Sequence, residues 1–600
     1  METLTSNPIL KGGEFLLKEV PTSSRVFIPE EFSDEERTMM DSVREFIRTR
    51  VLPNDAQIEK QDMGLLKQLL EEAGQLGLLG TAIPEEYGGS AQSFLFNVWL
   101  TETKSEARSF ALTLGAHTGI GTLPILYFGN EQQRAKYLPA LVSGELKAAY
   151  CLTEPGSGSD ALAAKSNASL SPDKTHYILN GQKMWITNGG IADVFIVFAQ
   201  ADGNKFTSFI VERNWNGVSV GAEEAKLGIK GSSTRQIFFE NVHVPLENVL
   251  GQVGKGHRIA FNILNIGRIK LASGAVGASK LIASLAIQYA NERHQFGKPI
   301  ASFGAIQHKI AEMAIRIFAA ESGTYRAANR INVKEEQLLE EGTSYYDALL
   351  GAAEEYAIEC ALLKVAGSEA LDYVADEGVQ IYGGMGYSEE APMARAYRDA
   401  RINRIFEGTN EINRMLAVDM LLKRAMKGQL DLMNAVLDVQ KEAMSPPSFA
   451  KIENDPSNPL AHERHAVRQM KKAFLVTIGA TVNELMMKLQ DEQEILINLS
   501  DIMQDIYLAE SVILRTEKLI QLFGAEKVNT QLTITRVFVN EAIERTESNA
   551  RKAISSWASG DTLNMLLMAV KRFTKHEFIN AKDMRRTIAA SFIAANKYHL

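Results

Sequence analysis

The period of the hydrophobic residues changes along this chain, and the change limits the folds open to it. From Glu31 to about Ala148 apolar residues recur every three or four positions, as in Met63, Leu66, Leu69, Leu70 and Ala73, the spacing of one helix face. Between about Tyr150 and Gly254 the period drops to two, in runs such as HYILNGQKMWITNG, VFIVFAQ, FTSFIVE and RQIFFENVHV. From Ile259 to about Lys427 helical spacing returns over long segments with few breakers, the pattern of an antiparallel bundle. Pro446, Pro447, Pro456 and Pro459 then mark a linker, MSPPSFAKIENDPSNPLAHE, because proline cannot continue a helix. Beyond it Val467, Phe474, Ile478, Val482, Leu485 and Leu489 form another helical stripe, and similar stripes continue towards Leu600. The expected architecture is α+β and multidomain: an N-terminal helical domain (1–148), a central antiparallel β-domain, barrel or sandwich (149–255), a helical bundle (256–428) and an extra C-terminal helical domain (447–600). Asn180-Gly181 is expected to turn a hairpin, since a type I′ turn needs positive φ at both central residues.

A length of 600 residues fits three or four domains, and the net charge of −9 argues against a nucleic-acid binder, which normally carries a basic face. Two cysteines, Cys151 and Cys360, give neither a disulfide framework nor metal-ligand spacing, so a reducing compartment is expected and no metal is. The N-terminal stretch carries Glu2, Glu14 and Glu19 and no apolar core of a signal peptide, which points to a cytoplasmic protein. No run approaches 18 consecutive apolar residues, so no membrane-spanning helix is expected.

Five segments carry candidate chemistry. In AYCLTEPGSGSD (149–160) the residues Gly156, Ser157, Gly158 and Ser159 make a small-residue loop that a phosphate or flavin edge can approach, although a plain tight turn reads the same way. It is neither a Walker loop nor a Rossmann fingerprint. In KMWITNGG (183–190) Trp185 and Thr187 are two apart and share a strand face, yet a tryptophan alone is more often a core residue. ERHQFGKPI (292–300) closes a long helix with Arg293, and QIYGGMGY (380–387) is glycine-rich beside a helical stretch; alone, each is a helix stop. In YRDARINRIFEGTNEINR (397–414) Glu407 lies among Ile405, Phe406 and Gly408, and a carboxylate partly removed from water becomes a better base near neutral pH.

In this combination and order the segments resemble the acyl-CoA dehydrogenase family over roughly residues 30–425. The resemblance implies FAD held between the β-domain and the bundle and reaching a neighbouring subunit. Tyr150, Leu152, Thr153 and Ser159 would line the flavin, and Trp185, Ile186 and Thr187 would face its ring. Arg293, Gln295 and Phe296, with Gln380, Gly383 and Gly384, would grip the ADP part from the partner, and Thr409 and Glu411 would also touch FAD. Ser159, Asn265, Arg268 and Gly408 would meet the substrate. Glu407 would take the α-proton of a fatty acyl-CoA; the rival base position of some relatives, just before the equivalent of Arg268, is Gly267 here. NILNIGR (262–268), SFGAIQ (302–307) and the C-terminal extension resemble the very-long-chain subgroup, which implies a homodimer and an electron-transfer flavoprotein as acceptor. In FALTLGAHTGIG (110–121) the small Gly115, Ala116 and Gly119 leave room for long acyl groups or for close helix packing.

Two other readings remain open at this point. An acyl-CoA oxidase shares the flavin chemistry but passes electrons to oxygen, and an assembly or scaffold protein could retain the fold. A membrane-contacting stripe at Leu430, Met433, Val436 and Leu437 is short and carries Asp431 and Asp438, so core packing explains it better.

Overall fold

The computed structural model describes residues 10–446 and 458–600, so most of the proline linker and the first part of the N-terminal segment lie outside the described residues. The expected order of helical, β, helical and helical blocks is present. In the first block the Asp34–Phe46 helix starts at Ser33, which forms a capping box with Glu36, the reciprocal arrangement that satisfies amides a helix start leaves free. The Phe94–Lys104 helix starts at Ser93 in a related way and is almost wholly buried.

Eight strands form one sheet: β1 (Ala148–Cys151), β2 (Asn167–Leu170), β3 (His176–Thr187), β4 (Val194–Ala201), β5 (Lys205–Glu212), β6 (Val218–Glu223), β7 (Thr234–Pro245) and β8 (Val249–Leu250). Their order is β6-β7-β3-β2-β4-β5-β8, with β1 also on β4. Period two is visible in β4: Val194, Ile196 and Phe198 face the core shared with the helices, whereas Phe195, Val197 and Ala199 face a separate core within the β-domain.

Two expectations for this domain are corrected. The sheet is mostly antiparallel, but β1 and β2 both run parallel to β4. Asn180-Gly181 does not turn a hairpin; it lies inside β3, where the register against β7 slips between Leu179 and Gly181. The bulge has local causes. Asn180 exchanges hydrogen bonds with Asn241 on β7, and Ser166 packs so closely on Gly181 that a Cβ there would sit 2.3 Å from its Oγ.

The bundle is built on Gly256–Glu292, Gly304–Glu340 and Ala357–Tyr382. Small residues set its spacing: a Cβ on Gly367 would lie 2.9 Å from the Cα of Ala272. By length and composition Ser109–Phe128 and Gly256–Glu292 are apolar enough to cross a membrane, contrary to the count of uninterrupted apolar runs, but both are largely buried in the core. Among the stripe residues, Leu430 and Val436 are buried while Met433 and Leu437 are exposed.

The C-terminal block contributes Ala461–Leu485, Gln493–Phe523, Asn529–Ser555, Gly560–Phe573 and Ala581–Ala595. It docks on the bundle through buried ion pairs, Arg326 on Glu510 and Arg515 on Glu321, and Lys471 within the block shares Glu510. The segment 10–31 runs across this block: Lys471 and Lys518 donate to the carbonyls of Lys18 and Val26, and Arg515 pairs with Glu30.

Candidate active site

Glu407 lies in the short loop between the turn Arg401–Arg404 and the helix Asn410–Met426, with φ at +58°, a conformation few side-chain-bearing residues adopt. Three side chains hold that loop. Asn413 Nδ2 donates to the carbonyls of Glu407, Gly408 and Thr409, Lys364 Nζ donates to Gly408 O at 2.8 Å, and Arg268 Nε reaches Glu407 O at 3.5 Å. The Glu407 carboxylate is left without such support, since Oε2 is buried and has no hydrogen-bond partner. Burial pushes its pKa up to about 7, against the opposing pull of Arg268 and Lys364. Gly267 makes this placement feasible, because a Cβ there would lie 2.9 Å from Oε2.

The carboxylate opens on a channel of about 330 Å³ that runs between the Ser109–Ala116 region, the Gly256–Glu292 helix and the Pro392–Ala400 helix. Gly115, Ala116 and Gly119 all line it, as the sequence suggested. Gly119 faces open space, whereas the Cβ direction of Gly115 points at Lys104 Nζ, 4.0 Å away. Thr187 also lines the channel. Asn265 and Arg268 lie behind it: Arg268 Nη1 bonds Asn265 Oδ1 at 2.8 Å, and the pair backs the Glu407 loop.

The loop 149–160 adjoins this site. Tyr150 is close enough for the Glu407 charge to help raise its pKa, second to burial, and its buried hydroxyl has no partner. Leu152 is buried, and its carbonyl accepts from Lys183 Nζ; Thr153 O accepts from Met184 N, tying the loop to β3. Glu154 anchors the turn by accepting from the amides of Lys165 and Ser166 and from Lys183 Nζ at 2.6 Å. Burial works against its ionisation, but Lys183 and those amides hold the carboxyl below its ordinary range. The loop therefore presents Gly156, Gly158 and the exposed Ser159 outward, with nothing within 4 Å of either glycine's Cβ direction.

At the end of β3 the register slips again between Lys183 and Ile186, and Trp185 takes φ +60°. Ile186 turns into the core while Trp185 stays 51% exposed, so the core placement common for tryptophan does not apply. Neighbouring Asn188 bonds Thr113 O at 3.0 Å and couples the strand to the channel-lining helix.

Arg293, Gln295 and Phe296 form a separate group. They follow the Gly256–Glu292 helix, about 39 Å along its axis from Gly267, and Phe296 is 92% exposed. Gln380, Gly383 and Gly384 join them at that end of the bundle, where Tyr382 stacks on Tyr289 with ring centroids 4.0 Å apart. Thr409 caps the Asn410–Met426 helix by accepting from Ile412 N, and Glu411 is exposed on its first turn.

The sequence reading missed Lys364, Asn413, Lys183 and Glu154, which position the site without lining it. Their signal in the chain is weak: single polar residues, of which Lys364 and Lys183 find their partners tens of residues away and Asn413 within the turn before it.

A buried, unpaired carboxylate lines an apolar channel, beside a strand and loop with open space for a flat group, an arrangement suited to taking a proton from carbon. Models of the acyl-CoA dehydrogenase N-terminal, middle and C-terminal domains match residues 33–145, 149–242 and 254–422, and a further C-terminal domain model of that family matches 469–572. A "Probable acyl-CoA dehydrogenase" of Bacillus subtilis (strain 168) is 47% identical over 98% of both chains. The very long-chain specific acyl-CoA dehydrogenase of Rattus norvegicus is 42% identical over 60% of this chain and 53% of its own length. The crystal structure of an acyl-CoA dehydrogenase from Bacillus anthracis, complexed with FAD, superposes with a TM-score of 0.96 at 46% identity, covering 99% of this chain and 100% of that one. The chain belongs to the acyl-CoA dehydrogenase family and is an oxidoreductase.

Proposed function

We propose that this protein catalyses the α,β-dehydrogenation of fatty acyl-CoA to trans-2-enoyl-CoA with FAD, and that Glu407 is its base. The observation that carries this reading is the Glu407 carboxylate, buried, unpaired and with its pKa raised to about 7, in the lining of an apolar channel. The residues present fit the cofactor: Tyr150 offers an orphaned buried hydroxyl, the Gly156–Ser159 loop offers open backbone, and exposed Trp185 offers an aromatic face. When bound, FAD supplies the acceptor for the hydride that leaves the β-carbon. Glu407 receives the α-proton, and its low-dielectric surroundings keep it basic enough to do so at neutral pH. Amides of the clamped 407–409 loop are suited to hydrogen-bond the thioester carbonyl, stabilising the enolate-like charge that develops on proton removal.

The channel past Gly119 admits long acyl chains, and an electron-transfer flavoprotein is the acceptor this family reading carries. The distance between the Glu407 loop and the exposed Arg293–Gly384 group supports a homodimer in which that group completes the neighbour's FAD site. Both cysteines are free and buried, which suits a cytoplasmic setting. The test is anaerobic mixing of the FAD-loaded protein with acyl-CoAs of increasing length. Flavin bleaching in the wild type, lost in Glu407→Gln with FAD retained, is expected. Absence of bleaching with every thioester overturns the reading and favours a scaffold role.

A further inference from the structure

The channel that holds Glu407 also holds two lysines for which the chemistry so far has no use. Lys104 ends the Phe94–Lys104 helix and is only 9% exposed, and Lys270 lies one turn beyond Gly267 on the Gly256–Glu292 helix; both line the channel. They face each other closely enough that the charge of Lys270 lowers the pKa of Lys104. Among the described residues neither has a hydrogen-bond or ion-pair partner.

The other charged groups of the channel are arranged differently. Arg108 pairs with Asp55 at 2.5 Å, and Arg395 pairs with Asp55, Glu59 and Asp399. His117, behind the wall, is bonded to Leu141 O, and burial lowers its pKa to about 4, so it is neutral. Glu407 lines the same channel, but no carboxylate, Glu407 included, faces the two lysines closely enough to shift their pKa values. Two ammonium groups sharing one apolar cavity without a counter-ion are unfavourable. A plain alkyl chain does nothing to relieve this, whereas a carboxylate between them satisfies both.

We propose that the channel recognises a carboxylate carried on the acyl chain, so that substrates include mono-CoA thioesters of dicarboxylic acids, with Lys104 and Lys270 binding the distal carboxylate. This rests on the proposed dehydrogenation and deepens it. Three residues of helix, about 4.5 Å of rise, separate Gly267 from Lys270, which places the carboxylate a few carbons beyond the reacting bond. Preference for the charged substrate therefore peaks at medium length. Burial lowers the pKa of Lys104 to about 7 and that of Lys270 to about 8, so recognition is strongest while both keep their protons.

The experiment follows anaerobic flavin reduction in the full-length FAD-loaded protein with paired thioesters: adipyl- and hexanoyl-CoA, suberyl- and octanoyl-CoA, sebacyl- and decanoyl-CoA, hexadecanedioyl- and palmitoyl-CoA. The readout is the ratio of kcat/KM, charged over plain, in which the Glu407 contribution common to both substrates cancels. The ratio is expected to peak at one medium length and to fall about 10- to 100-fold in Lys104→Met or Lys270→Met, with partial rescue by Lys104→Arg. In the wild type it should also fall as the medium is raised from about pH 6 to about pH 9, a measurement that needs no variant to fold. Slower reduction by the dicarboxylic thioester at every length, with plain thioesters active, overturns this inference and leaves the dehydrogenation standing. Inactivity of all thioesters overturns both.

Discussion

Replacing Glu407 by Gln removes the carboxylate proposed as the base, and it should also stabilise the protein in a pH-dependent way. The carboxyl has an ordinary pKa of 4.5 and is held at about 7 in the folded chain, chiefly by burial. Below about pH 4 both folded and unfolded chains carry it protonated, and it has no effect on stability. As the pH rises the unfolded chain loses the proton first. The folded chain then binds more protons than the unfolded one, and stability falls until the pH passes about 7. The accumulated destabilisation is under about 1 kcal/mol at about pH 5 and about 3 kcal/mol at about pH 8. Gln has nearly the same shape and no proton to lose, so the variant escapes this loss. With an unfolding entropy of about 2.1 cal/mol/K per residue, a chain of this size melting as one unit gains about 2 °C in Tm at about pH 8. Side-by-side thermal unfolding in excess FAD, from about pH 5 to about pH 8, measures the difference. A gap that widens with pH is expected. A variant that melts with or below the wild type at the upper end, or a gap independent of pH, would mean that the carboxylate is solvated or paired and is not the poised base described above.

Three further outcomes follow from the same geometry. Gly267→Ala places a methyl 2.9 Å from Oε2, too close for the carboxylate to stay where it is, and should lower kcat about 10- to 100-fold while FAD content and Tm stay close to wild type; unchanged kcat would show that the carboxylate has another resting place. Lys183→Met strips the buried Glu154 of its cation and should cost about 3 kcal/mol, with easier loss of FAD on dialysis as the 156–159 loop loosens; equal stability in denaturant titration would contradict this. Reduced enzyme exposed to oxygen should reoxidise slowly and release little peroxide, and rapid peroxide formation would transfer the protein to the oxidase reading.

How much of this was legible in the chain depended on the range of the interaction. Periodicity is local, so the succession of helical and β-rich blocks could be read directly. The Asn180-Gly181 pair misled because its meaning depends on Asn241 and Ser166, which lie far away in sequence but touch it in the fold. Glu407 stood out through its apolar neighbours, yet its unusual backbone and missing partner depend on Gly267 and Lys364, which no spacing connects to it, as well as on nearby Asn413. Lys104, in TETKSEARS, has the look of an exposed helix end, and only the packing of three helices around it reveals a charge inside the channel.

The crossing of segment 10–31 over the C-terminal helices has a consequence for how the molecule is made. Glu30 and its partner Arg515 are 485 positions apart, and at about 5–20 residues per second a ribosome needs from about half a minute to more than a minute and a half to deliver the second after the first. Throughout that interval the early segment can meet the bundle, where Gly12 and Gly13 donate to Glu355 and Glu359, but not the C-terminal helices, and Glu321, which Arg515 also neutralises, waits in the bundle without that partner. Newborn chains thus pass through a long stage in which the bundle can form but its outer face stays open, the stage at which chaperone capture or premature self-association would act.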